Sequence, residues 1–480
     1  MSKNVYLTTT LPYVNAEPHI GFALEIVQAD IFVRYRALLG DEVFFNTGTD
    51  EHGLKIYRKA LEEGKDPQAY TDEYAAKFRE LKEKLDLFSE LHFIRTTNPH
   101  HLAAAQEFWR RCLAAGDIYK KQYKIKYCIG CELEKTESEL QNSRCPLHPN
   151  LDLELIDEEN YFFRWSKYEK PLLDLYARYP DFVTPSSRFN EIKAFVGRGL
   201  EDFSISRLKA KMPWGVPVPD DPDHVMYVWF DALVNYISTL GWPEDTSKFE
   251  KFWGTMHSPN AIQVAGKDNL RQQSAMWQAM LMSADLPTAR RIVIHGFITS
   301  GGQKMSKSLG NVIDPLAIVA EYGADALRYF LARHTHPFED SDFTMERFKE
   351  AYNADLANGI GNLTARIMRL AETHLPVETG MKKLRIPDAY GQALDEYRFD
   401  RATEFIMSRV AFLDSSITED EPFKVIKSDP SRGTELILEL IAGLYEIGYM
   451  LLPIMPQTAQ IICDSVQSHK KPETLFPRKD

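Results

Sequence analysis

Long apolar runs are absent from this chain. No stretch approaches the roughly 18 residues that a membrane span requires, so no membrane partner is expected. The amino terminus has no apolar secretory core either. Met1-Ser2-Lys3-Asn4 leads straight into a strand-like run, which makes the cytoplasm the expected compartment. Positive charge is in deficit: 57 Lys and Arg against 69 Asp and Glu leave a formal charge of −12. That excludes a broad, sequence-indifferent nucleic-acid binder, which is ordinarily basic, but leaves room for a local basic surface. Lys120, Lys121, Lys124 and Lys126 form the densest such stretch, and a solvated hairpin face explains them as well as a nucleic-acid contact does. Cysteine is scarce, five in 480 residues, which is no disulfide framework for so long a chain. Internal repeats, low-complexity tracts and any convincing Ser-His-Asp or Cys-His nucleophile arrangement are missing as well.

What is present reads as globular. Hydrophobic residues make up 44% and charged residues 26%, an ordinary composition for which this length implies about two to four domains. Val5 to Thr10 is a β-branched, buried strand; Pro12, Asn15 and Pro18 turn the chain; Ile20, Leu24, Val27, Ile31 and Tyr35 then recur at helical spacing up to Gly40. Glu42 to Asn46 is a second strand, ending at Thr47-Gly48-Thr49-Asp50. Strand, helix, strand within about fifty residues is a βαβ unit and predicts a parallel sheet. A second α/β stretch has strands at Ala261 to Ala265 and Arg291 to Phe297. The segment between differs in character, carrying the clustered cysteines and a Pro-rich exit, and the last third is helical, with Phe348 to Leu370 as one amphipathic helix. The fold class expected is therefore α/β: a Rossmann-type sheet in two halves, 1–117 and 223–309, a connective insertion over 118–222, a linker over 310–343, and an all-α bundle over 344–480.

Two motifs carry the chemistry. Pro18-His19-Ile20-Gly21-Phe22 lies where the first strand's loop enters the first helix. There Gly21 lets a ligand approach the backbone, the helix end favours anionic phosphate, and His19 can donate to phosphate oxygens. Lys304-Met305-Ser306-Lys307-Ser308 follows two glycines; such a loop can close two cations over a triphosphate as charge builds on a leaving pyrophosphate. Alone, a histidine at a helix start is more often a cap or core residue, and most Lys-Ser-rich loops are exposed basic turns. Phe22 stands where a phosphate site would welcome a polar group.

A third constellation is metal-like. Cys128-Ile129-Gly130-Cys131 and Cys145-Pro146-Leu147-His148 supply three thiolates and one imidazole in two close pairs. That is a complete tetrahedral set for one structural Zn²⁺, with no open position for catalysis. Cys112 and Cys463 are isolated in helical patterns and read as buried apolar residues.

Taken in order, these motifs resemble those of the class I aminoacyl-tRNA synthetases, and most nearly the methionine-specific family, over essentially the whole chain. The resemblance rests on Thr10-Leu11-Pro12-Tyr13, Thr47 to Gly53, Tyr227-Val228-Trp229-Phe230-Asp231-Ala232, Gly266-Lys267-Asp268 and Lys304 to Ser308. It implies activation of methionine by ATP, with Mg²⁺ on the phosphates, and transfer to initiator and elongator methionine tRNA. By resemblance, His19 and Lys307 stabilise the phosphates with Lys304 assisting, Gly21 lies in the same ATP site, and Gly266 and Asp268 hold the ribose. Asp50 and the Leu11 carbonyl would hold the substrate ammonium, Tyr236 would meet the sulfur, and Tyr13 and Trp229 would wall the side chain; from the residues alone, Trp229 and Tyr236 could equally be core. Gln273 stands where the family often has a histidine, and Phe22 where it has the second histidine of its first motif. The family's connective insertion carries zinc knuckles of the kind seen here. Asn362, Arg366 and Phe423 match its anticodon readers, with Phe423 in place of a tryptophan, and residues 310–343 its stem-contact region. The absence of an OB-type dimerisation domain after Leu475 implies a monomer. The rival readings are a non-catalytic tRNA-binding paralogue and a class I synthetase for another amino acid.

Overall fold

The computed structural model describes residues 3–131, 133–135, 139–305, 311–375 and 384–479. Six strands form the central sheet: β1 (Asn4–Thr8), β2 (Glu42–Thr49), β3 (His92–Arg95), β4 (Val183–Thr184), β5 (Ile262–Gly266) and β6 (Arg291–His295). All neighbours are parallel, in the order β3-β2-β1-β5-β6-β4. The two-residue period of a strand is visible in where its side chains go: Val5 and Leu7 pack with one core, and Tyr6 between them with the other. Val264 and Val293 likewise face the first core, and Ala265, Ile292 and Ile294 the second. The expected α/β class is therefore observed. One difference concerns the expected insertion, 118–222, since Val183-Thr184 within it forms the edge of the central sheet beside β6. A two-residue strand has too little alternation to be read from sequence.

Helix α1 (Ile20–Leu38) lies against one face of this sheet. Its apolar positions recur as expected, yet Glu25, Gln28 and Asp30 are buried too, because the helix is covered on nearly every side. The first core runs without interruption from α1 into the C-terminal bundle, where Leu363, Ile367, Leu440 and Leu444 join it. The rod expected over 348–370 is continuous from Met345 to His374, but Tyr352–Gly361 winds more widely than an α-helix. The connective segment is an antiparallel sheet built on Ile118–Cys128 and Glu154–Phe163. In that hairpin Lys120 pairs with Asp221 (2.9 Å) and Lys124 with Asp157 (3.4 Å), which is the solvated, charge-balanced face. Cys112 and Cys463 are buried. Among the described residues, no helix is long and apolar enough to cross a membrane.

Candidate active site

Ligands of an open parallel sheet sit beyond the carboxyl ends of the strands, where the strand order reverses. Here the reversal falls between β1 and β5, and a cavity of about 600 Å³ opens there. The loop after β1 supplies Leu11 and Tyr13, the end of β2 supplies Asp50, and the end of β5 supplies Gly266 and Asp268. His19 and Gly21 enter from the start of α1, Trp229 and Tyr236 from the helical turns after Tyr227, and Gln273 from the helix after β5. Leu11, Tyr13, His19, Gly21, Asp50, Trp229, Tyr236, Gly266, Asp268 and Gln273 therefore line one space. Lys304 ends the strand Gln303–Lys304, beside Met305, which does line the cavity. Lys307 lies outside the described residues.

His19 caps α1: its Nδ1 accepts the Gly21 N–H at 3.1 Å. A Cβ on Gly21 would lie 2.9 Å from the His19 ring, so the cap requires glycine there. Burial lowers the His19 pKa below the ordinary histidine value. The ring is thus neutral at pH 7, and with Nδ1 accepting, its proton sits on Nε2. Phe22 is accounted for by packing. Its ring meets Phe78 edge to face at 5.3 Å, an arrangement a histidine there would trade away.

Asp50 is placed by backbone pairing: its N–H donates to the Pro12 carbonyl (3.0 Å), and its carbonyl accepts from Val14 (3.2 Å). The next residue, Glu51, is buried and receives Arg95 on both oxygens at 2.7 and 2.8 Å, with Thr49 and Thr97 hydroxyls beside it. Two further groups knit the walls: His52 Nδ1 meets Asp231 at 2.7 Å, tying the Asp50 loop to the turn that carries Trp229. Tyr236 oxygen accepts from Gln273 Nε2 at 2.6 Å, and Gln273 Oε1 in turn accepts from Gln263 at 3.2 Å. Burial raises the Tyr236 pKa, so the phenol stays protonated. With its oxygen already accepting, its own hydrogen is available to a cavity ligand.

Sequence reasoning missed Glu25 and His295. Glu25 receives the Thr10 N–H (2.7 Å) and hydroxyl (2.6 Å) on one oxygen and His295 Nε2 (2.7 Å) on the other. His295 Nδ1 donates to the Gly296 carbonyl at 2.7 Å. Burial alone would lower the His295 pKa, but Glu25 and that carbonyl outweigh it and raise it. A buried imidazolium–carboxylate pair therefore underlies the cavity, joining α1 to β6. The two are 270 residues apart, so only the fold brings them together.

The metal-like cluster forms as expected. The ligand atoms of Cys128, Cys131, Cys145 and His148 lie within 4.8 Å of one another, including Cys131 Sγ to His148 Nδ1 at 3.2 Å and Cys131 Sγ to Cys145 Sγ at 3.4 Å. Tetrahedral sulfur ligands around zinc stand about 3.8 Å apart, so the set fits. A Cβ on Gly130 would lie 2.5 Å from the His148 ring, which makes that glycine part of the cradle. Gly130 and Cys131 also line the cavity, and Glu139 pairs with Arg271 at 3.7 Å, so the knuckle leans over the site.

The remaining candidates lie in the bundle. Asn362 is exposed and Arg366 half-buried, one step from buried Leu363 and Ile367. Arg366 forms an ion pair with Asp414 of the helix Phe399–Asp420. Phe423, 41% exposed, follows on the short helix Pro422–Ser428.

Comparison with known proteins agrees with this geometry. The family model described as class I tRNA synthetases (M) matches residues 5–149 and 130–368. The chain belongs to this family. This synthetase is 42% identical to the Methionine--tRNA ligase of Thermosynechococcus vestitus, over 96% of its own length and 90% of the relative's. It is 39% identical to the Methionine--tRNA ligase of Thermotoga maritima, over 97% of its own length and 76% of the relative's. Among solved structures, Mycobacterium tuberculosis methionyl-tRNA synthetase in complex with methionyl-adenylate aligns with a TM-score of 0.89 and 33% identity, covering 99% of this chain and all of that one.

Proposed function

We propose that this chain is a methionine–tRNA ligase, which activates L-methionine with ATP and transfers it to the 3′ end of methionine tRNA, initiator and elongator alike. The observation that carries the reading is a single cavity, in a class I synthetase, where His19, Gly21, Gly266 and Asp268 meet Asp50, Tyr13, Trp229, Tyr236 and Gln273. Activation needs no protein nucleophile. A methionine carboxylate oxygen attacks the α-phosphorus, the bond to the bridging oxygen breaks, and pyrophosphate leaves; catalysis is positioning and charge stabilisation. His19 presents Nε2–H to the phosphates, next to the first turn of α1, and the strand carrying Lys304 leads into the lysine loop with Lys307. Mg²⁺ bound to the ATP phosphates would neutralise part of their charge. Asp268 and Gly266 hold the ribose, and Asp50 with the Leu11 carbonyl holds the ammonium. The Tyr236 hydrogen, oriented by Gln273, meets the thioether, a weak acceptor that suits an aromatic pocket. The terminal ribose hydroxyl of the tRNA then attacks the adenylate's carbonyl carbon and AMP leaves. Asn362, Arg366 and Phe423 read the anticodon. The active form is a cytoplasmic monomer, which light scattering checks.

The test is amino-acid-dependent ATP–pyrophosphate exchange across the twenty amino acids. Exchange with methionine alone is expected. Exchange with a different amino acid sinks the pocket assignment, and none at all favours a binding-only relative.

Zn²⁺ held by Cys128, Cys131, Cys145 and His148 would supply folding energy to the knuckle. Elemental analysis is expected to find one zinc per chain, lost in Cys128→Ala together with thermal stability of the connective segment. Absent metal, with unchanged stability in the variant, removes this claim.

A further inference from the structure

The segment that leads from the catalytic sheet to the bundle has more to do than connect them. Its strand Ser341–Asp342 pairs in parallel with Ile298–Ser300, whose other edge pairs antiparallel with Gln303–Lys304. Strands of two or three residues do not hold themselves in place; something outside the hairpin must set its position. Alternate residues of an extended segment point the same way, and here Asp340, which lines the cavity, and Asp342 both turn toward the backbone of residues 297–302. Asp340 takes Lys267 Nζ on both carboxylate oxygens, at 2.7 and 2.6 Å, and the Phe297 N–H at 2.9 Å. Lys267 sits between Gly266 and Asp268, so this carboxylate grips the loop assigned to the ribose. Asp342 Oδ1 takes the Gly302 N–H at 2.7 Å and the Thr299 hydroxyl at 2.8 Å.

Those two donors are the mechanical points of the hairpin. Gly301 and Gly302 make its turn with φ of +60° and +73°, a conformation glycine adopts without strain, and Thr299 is the cross-strand partner of Lys304. The two backbones approach so closely that a Cβ on Gly296 would lie 2.1 Å from the Glu339 carbonyl oxygen. On its other side, the Asp342 carbonyl accepts from Arg347 Nη1 at 2.6 Å, and Arg347 lies in the first turns of the rod that carries Asn362 and Arg366.

We infer that Asp340 and Asp342 are positioning residues for the nucleotide: Asp340 sets the ribose-side loop through Lys267, and Asp342 sets the hairpin that carries Lys304. The inference rests on reading this cavity as an ATP site. A charge-assisted acceptor that holds a loop makes itself felt where the loop acts, so Asp342 matters for ATP and not for methionine, whose pocket lies on the Tyr236 side.

The experiment compares Asp342→Ala, Asp342→Asn and Thr299→Val in the full chain. Asp342→Ala is expected to lower kcat/KM for ATP in pyrophosphate exchange by roughly 10- to 100-fold, the range for losing bonds to a charged acceptor. Methionine affinity, read from tryptophan fluorescence, stays at the wild-type value. Asp342→Asn keeps an oxygen acceptor and restores most of the ATP term. Hydrogen exchange across residues 298–305 accelerates in Asp342→Ala and not in Asp342→Asn. If Asp342→Ala does not fold, Thr299→Val removes one of the two bonds and shows the same split at about tenfold. Unchanged ATP kinetics and hydrogen exchange in these variants, or equal losses for ATP and methionine, overturn the inference. Because hydrogen exchange needs no turnover, a wild-type chain without methionine-dependent exchange would refute the functional reading and leave this one to be judged on its own signal.

Discussion

His19→Ala is expected to lower kcat for methionine-dependent pyrophosphate exchange by about 10²- to 10³-fold, the usual cost of removing one donor aimed at developing charge. Methionine affinity is expected to stay at the wild-type value, because the ring caps the start of α1, on the side proposed for the phosphates, and Tyr236 with Gln273 forms a separate hydrogen-bonded pair. The size of the loss follows from Phe22, which offers no hydrogen bond where a second histidine would, and which is held against Phe78. Position 22 therefore offers no second imidazole beside His19. The same ring sets an acid limit. With its folded pKa lowered by burial, the neutral cap is fully present above the ordinary histidine value of about 6.5. It is lost as pH falls through the depressed folded value, since a proton on Nδ1 would oppose the Gly21 N–H. Exchange is expected to be flat in this group above pH 6.5 and to fall on the acid side. A rate in His19→Ala within threefold of wild type would show that the lysine loop carries the phosphate chemistry alone.

How much of this was legible in the sequence depends on distance along the chain. His19, Gly21, Asp50, Trp229, Tyr236 and Gln273 stand in short motifs whose residue types already name their chemistry, and all of them line the one cavity. The metal-like cluster was legible for the same reason: two pairs, each within three residues, need only one loop to meet. What was not legible are the groups that hold these in place. Glu25 with His295, Glu51 with Arg95, His52 with Asp231 and Lys267 with Asp340 are pairs between remote segments. Nothing in the local pattern of a buried acidic residue says which remote cation will satisfy it. The same holds for β4, and for the wide turns of Tyr352–Gly361, where a continuous apolar pattern looked like regular helix. Motif residues announce a site; the shell that fixes their geometry is a property of the fold.

Arg328 is the strongest case of such a hidden tie, and Arg328→Met is expected to destabilise the protein by about 3–5 kcal/mol. The side chain is completely buried, as is its partner Asp30 of α1. Its guanidinium donates to Asp30 at 2.6 Å, to the Leu85 carbonyl at 3.2 Å, and to the Pro453 and Ile454 carbonyls at 3.0 and 2.9 Å. One residue of the helix Ala324–Arg333 thus satisfies α1, the end of the helix Pro67–Lys84 and the C-terminal bundle together. Truncating it takes one donor from the Asp30 carboxylate and from each of the Leu85, Asp86, Pro453 and Ile454 carbonyls, and that desolvation exceeds what the methionine's packing returns. Asp30 keeps Arg34 (2.8 Å) and the Phe88 N–H (2.6 Å), so the charge is not abandoned. Adding Asp30→Asn to Arg328→Met is accordingly expected to regain part of the loss. Denaturant unfolding followed by circular dichroism reads both, and a change below 1 kcal/mol in the single variant would show the network to be dispensable. Below its own melting range the variant should still exchange pyrophosphate. The working end of α1 is secured independently, by the Ile20 N–H to the Ile313 carbonyl at 3.0 Å and by Glu25 to Thr10 and His295. The stability tie at Asp30, in the middle of α1, is thus separate from the contacts that hold the helix's first turns.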